Sequence, residues 1–248
     1  MQFYEILGLS ALMGLSIYIS YPIIRKKNMN QDFARSLTAV AVGILIFLIA
    51  DVFSDASQLM YNGSLYGYGS SPVYDLVFGI SLFAGFFVLY AVEFRSKKGL
   101  SKVRISLLIA VGIGLQNLTE GLLFGATAVG IGLAGIALVI LVGFIVQNIT
   151  EGFPIGSPFF GESGNNNALV LLFFLIGGVP TIVGGAVGFY YNSKMFTLLF
   201  DGLAVGAILY IIFPMLRGLF ADTSHSGLRL VYGSILLGFL LGLAVNLV

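Results

Sequence analysis

The stretch LVLLFFLIGGV, from Leu169 to Val179, carries neither a charge nor a side-chain hydrogen-bonding group. Wound into a helix it is apolar on every face, and laid out as a strand it lacks the alternation that a membrane barrel needs. Such a segment has nothing to present to water. It belongs in lipid, where a helix satisfies its own backbone groups. Working outward, runs of the same character recur between short polar connections. They place spans at about 3–24, 36–60, 73–93, 105–127, 131–157, 167–190, 195–216 and 230–247. The fold class expected is therefore an all-α polytopic membrane protein of eight transmembrane helices. Residues 1–248 form a single transmembrane domain, with no room for a separate soluble one.

Composition agrees. The chain is 58% hydrophobic and 9% charged, with a mean hydropathy of +1.02, whereas a soluble domain is about one quarter charged. Twelve basic against eleven acidic residues leave no excess for nucleic acid. The absence of cysteine excludes disulfides, thiolate metal sites and thiol nucleophiles. The amino-terminal run has its positive charges after the apolar segment, so it is expected to be a retained first span rather than a cleaved leader.

The basic residues are sorted by side. Arg25, Lys26, Lys27 and Arg35 lie between spans one and two; Arg95, Lys97, Lys98, Lys102 and Arg104 between three and four; Arg217 and Arg229 between seven and eight. Only Lys194 falls on the opposite side. The positive-inside rule makes the first set cytoplasmic, so both termini are expected outside. The uncharged connection YNGSLYGYGSS, residues 61–71, fits an interfacial belt, and GESGNNN, residues 161–167, a flexible inner loop. Most of the 33 glycines lie inside spans, where small residues let helix backbones approach.

Spans four and five carry one pattern twice. Leu115, Gln116, Asn117, Leu118, Thr119, Glu120 and Gly121 are matched by Val146, Gln147, Asn148, Ile149, Thr150, Glu151 and Gly152. In each copy Gln and Glu stand at i and i+4 and Asn and Glu at i and i+3, so the three project from one helical face. Antiparallel neighbours would oppose the two faces near the bilayer midplane. Two carboxylates and four amide oxygens, from Gln116, Asn117, Glu120, Gln147, Asn148 and Glu151, form a ligand set for a hard divalent cation. Plain helix-packing patches with protonated glutamates are the alternative. A mid-membrane carboxylate costs about 2.5 to 3.5 kcal/mol on insertion scales, and two in duplicate favour an ion pathway.

These motifs resemble the fourth and fifth helices of the ZIP (Zrt/Irt-like) metal transporters, whose signature is His-Asn-x-Pro-Glu-Gly. Gly152, Phe153, Pro154, Ile155, Gly156, Ser157 and Pro158 are similar to the continuation of the fifth-helix motif. Gly178, Val179, Pro180, Gly184, Gly185 and Ala186 resemble the sixth helix, and Ala204, Val205, Gly206, Ala207 and Tyr210 the seventh. The resemblance implies a ZIP-like bundle with a primary metal site of Gln116, Glu120, Gln147 and Glu151. It also implies a secondary site adding Asn117 and Asn148. The chain departs from the family where both motif histidines are glutamine, both prolines threonine, and a sixth-helix glutamate is Val179. Exchanging imidazole for amide leaves an all-oxygen set, which shifts the expected preference from zinc toward manganese, ferrous iron, magnesium or calcium.

Asp51, Asp55 and Gln58, at i, i+4 and i+7 of span two, share a face where they would draw cations inward, and Asp201 of span seven joins that entry path. Asp75 sits near the same interface, and His225 in a solvated loop. The function expected is transport of a divalent metal cation, with zinc, iron or manganese as substrate and no cofactor. A non-transporting ion-binding protein and a proton- or sodium-coupled permease remain open at this point. No enzyme motif appears. Divalent metal ions and the lipid bilayer are the partners expected, with a homodimer left open, and the location expected is the plasma membrane.

Overall fold

The computed structural model describes residues 1–26, 30–61, 71–94, 101–131, 136–160, 167–191, 193–221 and 225–246. Lys27, Arg95, Lys97, Lys98, Glu162, Asp222 and most of the 61–71 and 161–167 connections lie outside the described residues.

The described residues are helical: α1 (Phe3–Leu15), a 3-10 segment (Ser16–Ser20), α2 (Tyr21–Ile24), α3 (Gln31–Tyr61), α4 (Pro72–Phe94), α5 (Lys102–Ile131), α6 (Ile136–Gly156), a 3-10 turn (Ser157–Phe159), α7 (Asn167–Tyr190), α8 (Lys194–Phe220) and α9 (His225–Asn246). Seven segments are long and apolar enough to cross a membrane: Phe3–Ile24, taken as one, and the bodies of α3, α4, α5, α7, α8 and α9. That composition fits an integral, multi-pass membrane protein. The helix α6 is the eighth long element and carries the second polar motif.

Several features differ from expectation: α3 and α9 each open five residues earlier, at Gln31 and His225. The first span is not uniformly α-helical, because Ser16 and Ser20 donate their hydroxyls to Met13 O (2.6 Å) and Ile17 O (2.8 Å), three residues back, where the helix tightens. Ile131 closes α5 instead of opening the next span, so α6 begins at Ile136.

Packing is set by small residues. The most extensive contacts pair α5 with α7, α4 with α8 and α3 with α9, all distant in sequence. Between α5 and α7 the approach is close enough that a Cβ on Gly121 would strike the Thr181 carbonyl, and one on Gly184 the Leu118 carbonyl. Only glycine fits there. Many large apolar side chains of α4 and α9, among them Ile80, Phe83, Val88, Leu236 and Leu237, are exposed, as suits helices that face lipid. The helix α5 runs through the interior, which places the first polar motif at the centre of the bundle.

Candidate metal centre

Helical spacing alone turns Gln116 toward Glu120, and the Gln116 Nε2 donates to Glu120 Oε1 at 2.8 Å. The same oxygen accepts from Gln147 Nε2 at 2.7 Å, across to α6. One turn away Asn117 Nδ2 donates to Asn148 Oδ1 at 2.9 Å and to Gly177 O of α7 at 3.0 Å. Asn148 Nδ2 in turn donates to Phe144 O at 2.9 Å. The two motifs therefore meet, as their spacing requires. Thr119 and Thr150 each donate to the carbonyl three residues back, Gln116 O and Gln147 O, both at 2.7 Å, which keeps their hydroxyl protons out of the site.

All six side chains are buried, and Glu151, Asn117 and Asn148 have no exposed surface at all. Each of the four amide nitrogens donates at least once, while acceptors remain without a donor. Gln116 Oε1, Asn117 Oδ1, Glu120 Oε2 and both carboxylate oxygens of Glu151 lack a hydrogen-bond partner. The Asn117 and Gln147 side chains approach Glu151 without reaching hydrogen-bond geometry. Glu151 lies within electrostatic reach of Glu120, and Asp51 within reach of both. A buried acceptor left without a donor costs about 1 to 3 kcal/mol. Five within the two facing motifs amount to a large fraction of a typical fold's net stability, about 5 to 15 kcal/mol. Oxygen-only acceptors with two carboxylates are the donor set that a hard cation satisfies. Among the described residues no three His, Cys, Asp or Glu gather into a metal-binding group, so any ligand set here depends on the amides.

A cavity of about 380 Å³ reaches the centre from one end of the bundle. Asp55 and Gln58 of α3, Thr119, Glu120 and Thr127 of α5, and Lys194, Thr197 and Asp201 of α8 line it. Thr119 and Glu120 are the motif residues on the cavity wall, and of the six candidate ligands Glu120 alone lines it. The entry expectation divides. Asp55 and Asp201 stand on the cavity wall, Asp201 almost fully buried, while Asp51 stands beside the glutamates and not among the lining residues. Sequence reasoning passed over Thr127, Thr197 and Lys194. The spacing of Lys194, Thr197 and Asp201, at i, i+3 and i+7 on α8, was the available signal.

No family model matches the chain, and no curated protein does. The site's chemistry therefore stands on its own geometry. At the opposite end, Ile109 and Ile113 of α5 close the centre together with Ile155 and Phe159, on and just beyond α6, all essentially without exposed surface. Beyond them lies a second cavity of about 370 Å³, lined in part by Arg35, Thr38, Lys102 and Ser157.

Proposed function

We propose that this chain is a ZIP-like multi-pass transporter that carries a divalent metal cation, such as zinc, iron or manganese, across the plasma membrane. In this reading all eight long helices span the bilayer with both termini outside. The cation is bound by Glu120 and Glu151 with oxygens of Gln116, Asn117, Gln147 and Asn148. The observation that carries the reading is the set of five buried, donorless oxygens shared by α5 and α6 at the foot of an acid-lined cavity. A stationary ion-binding protein would account for the centre alone. The second cavity, behind an apolar layer, favours transport, since alternating access needs a route on each side of one fixed site.

The test is uptake of radioactive manganese or zinc into proteoliposomes, paired with equilibrium binding to the purified protein. Glu120→Gln and Glu151→Gln should each weaken binding by at least about 10- to 100-fold, the loss seen when even the groups behind metal ligands are removed, and lower uptake at limiting ion accordingly. Full uptake by both variants would reject the assignment. Binding without any uptake in the unaltered protein would leave the stationary reading in place.

A further inference from the structure

Lys194 is the basic residue that breaks the charge pattern of the chain, the other eleven lying in connections expected at the opposite face. It also occupies the first position of α8, where Ser193 caps the helix by accepting from the Phe196 N–H at 3.5 Å. A cation in the first turn is opposed by the helix dipole, so helix formation does not explain it. Its surroundings do. Lys194 lines the same cavity as Asp55, Asp201 and Glu120. From Lys194 to Asp201 the helix rises roughly 10 Å. The flexible four-carbon stem of lysine covers a good part of that depth. Gln58 and Thr127 lie toward the same helix ends as Lys194, whereas Asp55, Asp201 and Glu120 lie deeper.

We propose that Lys194 is a tethered counter-ion that competes with the incoming cation for Asp55 and Asp201 and so sets the preference for a doubly over a singly charged ion. The inference rests on the cation-binding reading given above. A tethered ammonium that samples this cavity does so without being drawn from solution, which raises its effective concentration at the carboxylates. Bulk sodium, at the roughly 0.15 M ionic strength of physiological fluid, brings only the same single charge and has no tether to hold it there, so it displaces little of the ammonium. A divalent ion gains twice the Coulomb attraction per carboxylate and displaces the ammonium, which swings toward the rim. The residue thus discriminates by charge number before the ion meets the glutamate pair, and the buried amides then discriminate by ligand chemistry.

The experiment titrates manganese into the purified full chain and reads free manganese by electron paramagnetic resonance. It is run once in sodium chloride and once in N-methylglucamine chloride of equal ionic strength. The unaltered protein should bind manganese equally in both salts. Lys194→Gln should bind about two- to fivefold more tightly in N-methylglucamine, the range of one exposed ion pair, and lose that gain when sodium replaces it. Lys194→Arg, which keeps the charge, should retain the indifference to sodium. Lys194 is exposed at a helix end, and elution volume with helical circular dichroism verifies that the variants fold. Identical affinities and salt responses for Lys194→Gln and the unaltered protein would overturn this inference alone. Absence of manganese binding in every protein would overturn the cation-binding reading with it.

Discussion

Glu120 differs from Glu151 in how it is held. One Glu120 oxygen takes two amide donors, from Gln116 and Gln147, while the other is left bare, so the carboxylate is fixed in orientation with one lone-pair edge presented. Glu151 has two oxygens without a hydrogen-bond partner, so neither is singled out by a donor. Restoring imidazole with Gln116→His and Gln147→His should raise the preference for zinc over manganese, because nitrogen is the better zinc ligand. Competition binding at a pH where the new histidines are neutral measures it. An unchanged preference would mean that the two glutamines only orient Glu120. The meeting of the six side chains was legible in the sequence, because spacings of three and four residues dictate a shared helical face. The division of labour was not. Which amide proton points at which carboxylate depends on the crossing of α5 and α6, which no local spacing encodes. Lys194 was legible as an exception in charge and illegible as a cavity residue, since its neighbours Asp55 and Glu120 come from other helices.

Among the elements, α5 is held between two demands. Its polar motif must face α6, and its glycines must lie against α7, so Gly121 directly follows Glu120 at the turn where both are met. Gly184→Ala would push a methyl group into the Leu118 carbonyl and should cost about 1 to 3 kcal/mol by overpacking. Thermal unfolding in detergent checks this, with Gly79→Ala as the counterpart. Gly79 has nothing within 4 Å of an added Cβ, and its replacement should be neutral or stabilising by about 0.5 to 1 kcal/mol. Loss at Gly79 equal to that at Gly184 would contradict the packing account. The helices themselves were legible because apolar runs of span length permit little else. Their partners were not, for a glycine announces a close approach without saying to what. The broad α5–α7 packing, skipping α6, is the clearest instance. The 3-10 segment after α1 also escaped notice, although Ser16 and Ser20 stand at its two ends with their hydroxyls bonded three residues back. There Ser16 gives a second contact, to Ile145 O of α6 at 3.0 Å, which ties the first helix to the element bearing Glu151.

At the scale of the whole molecule, two cavities of nearly equal size face opposite ends of the bundle, and their linings differ in sign. Three carboxylates against one ammonium line the first; Arg35 and Lys102 line the second, with Asp32 no nearer to Arg35 than 4.0 Å and itself largely exposed. If the chain carries a cation as proposed, such an arrangement makes its kinetics asymmetric. A passive carrier cannot pump, so the ratio of maximal rate to half-saturation must be equal for the two directions when no voltage is applied. The acidic mouth concentrates cations and the basic mouth repels them. Zero-trans flux from the acidic side should accordingly show a half-saturating concentration about tenfold lower than flux from the basic side, together with a maximal rate lower by the same factor. Sided proteoliposomes measure both. Replacing Arg35 and Lys102 by glutamine should narrow the disparity, and raised salt should narrow it further. Equal half-saturation from both faces at low salt would contradict the account. The opposed linings would thus give the proposed carrier one face that saturates in dilute solution and one that saturates only in concentrated solution, while dilute ion crosses equally readily from either.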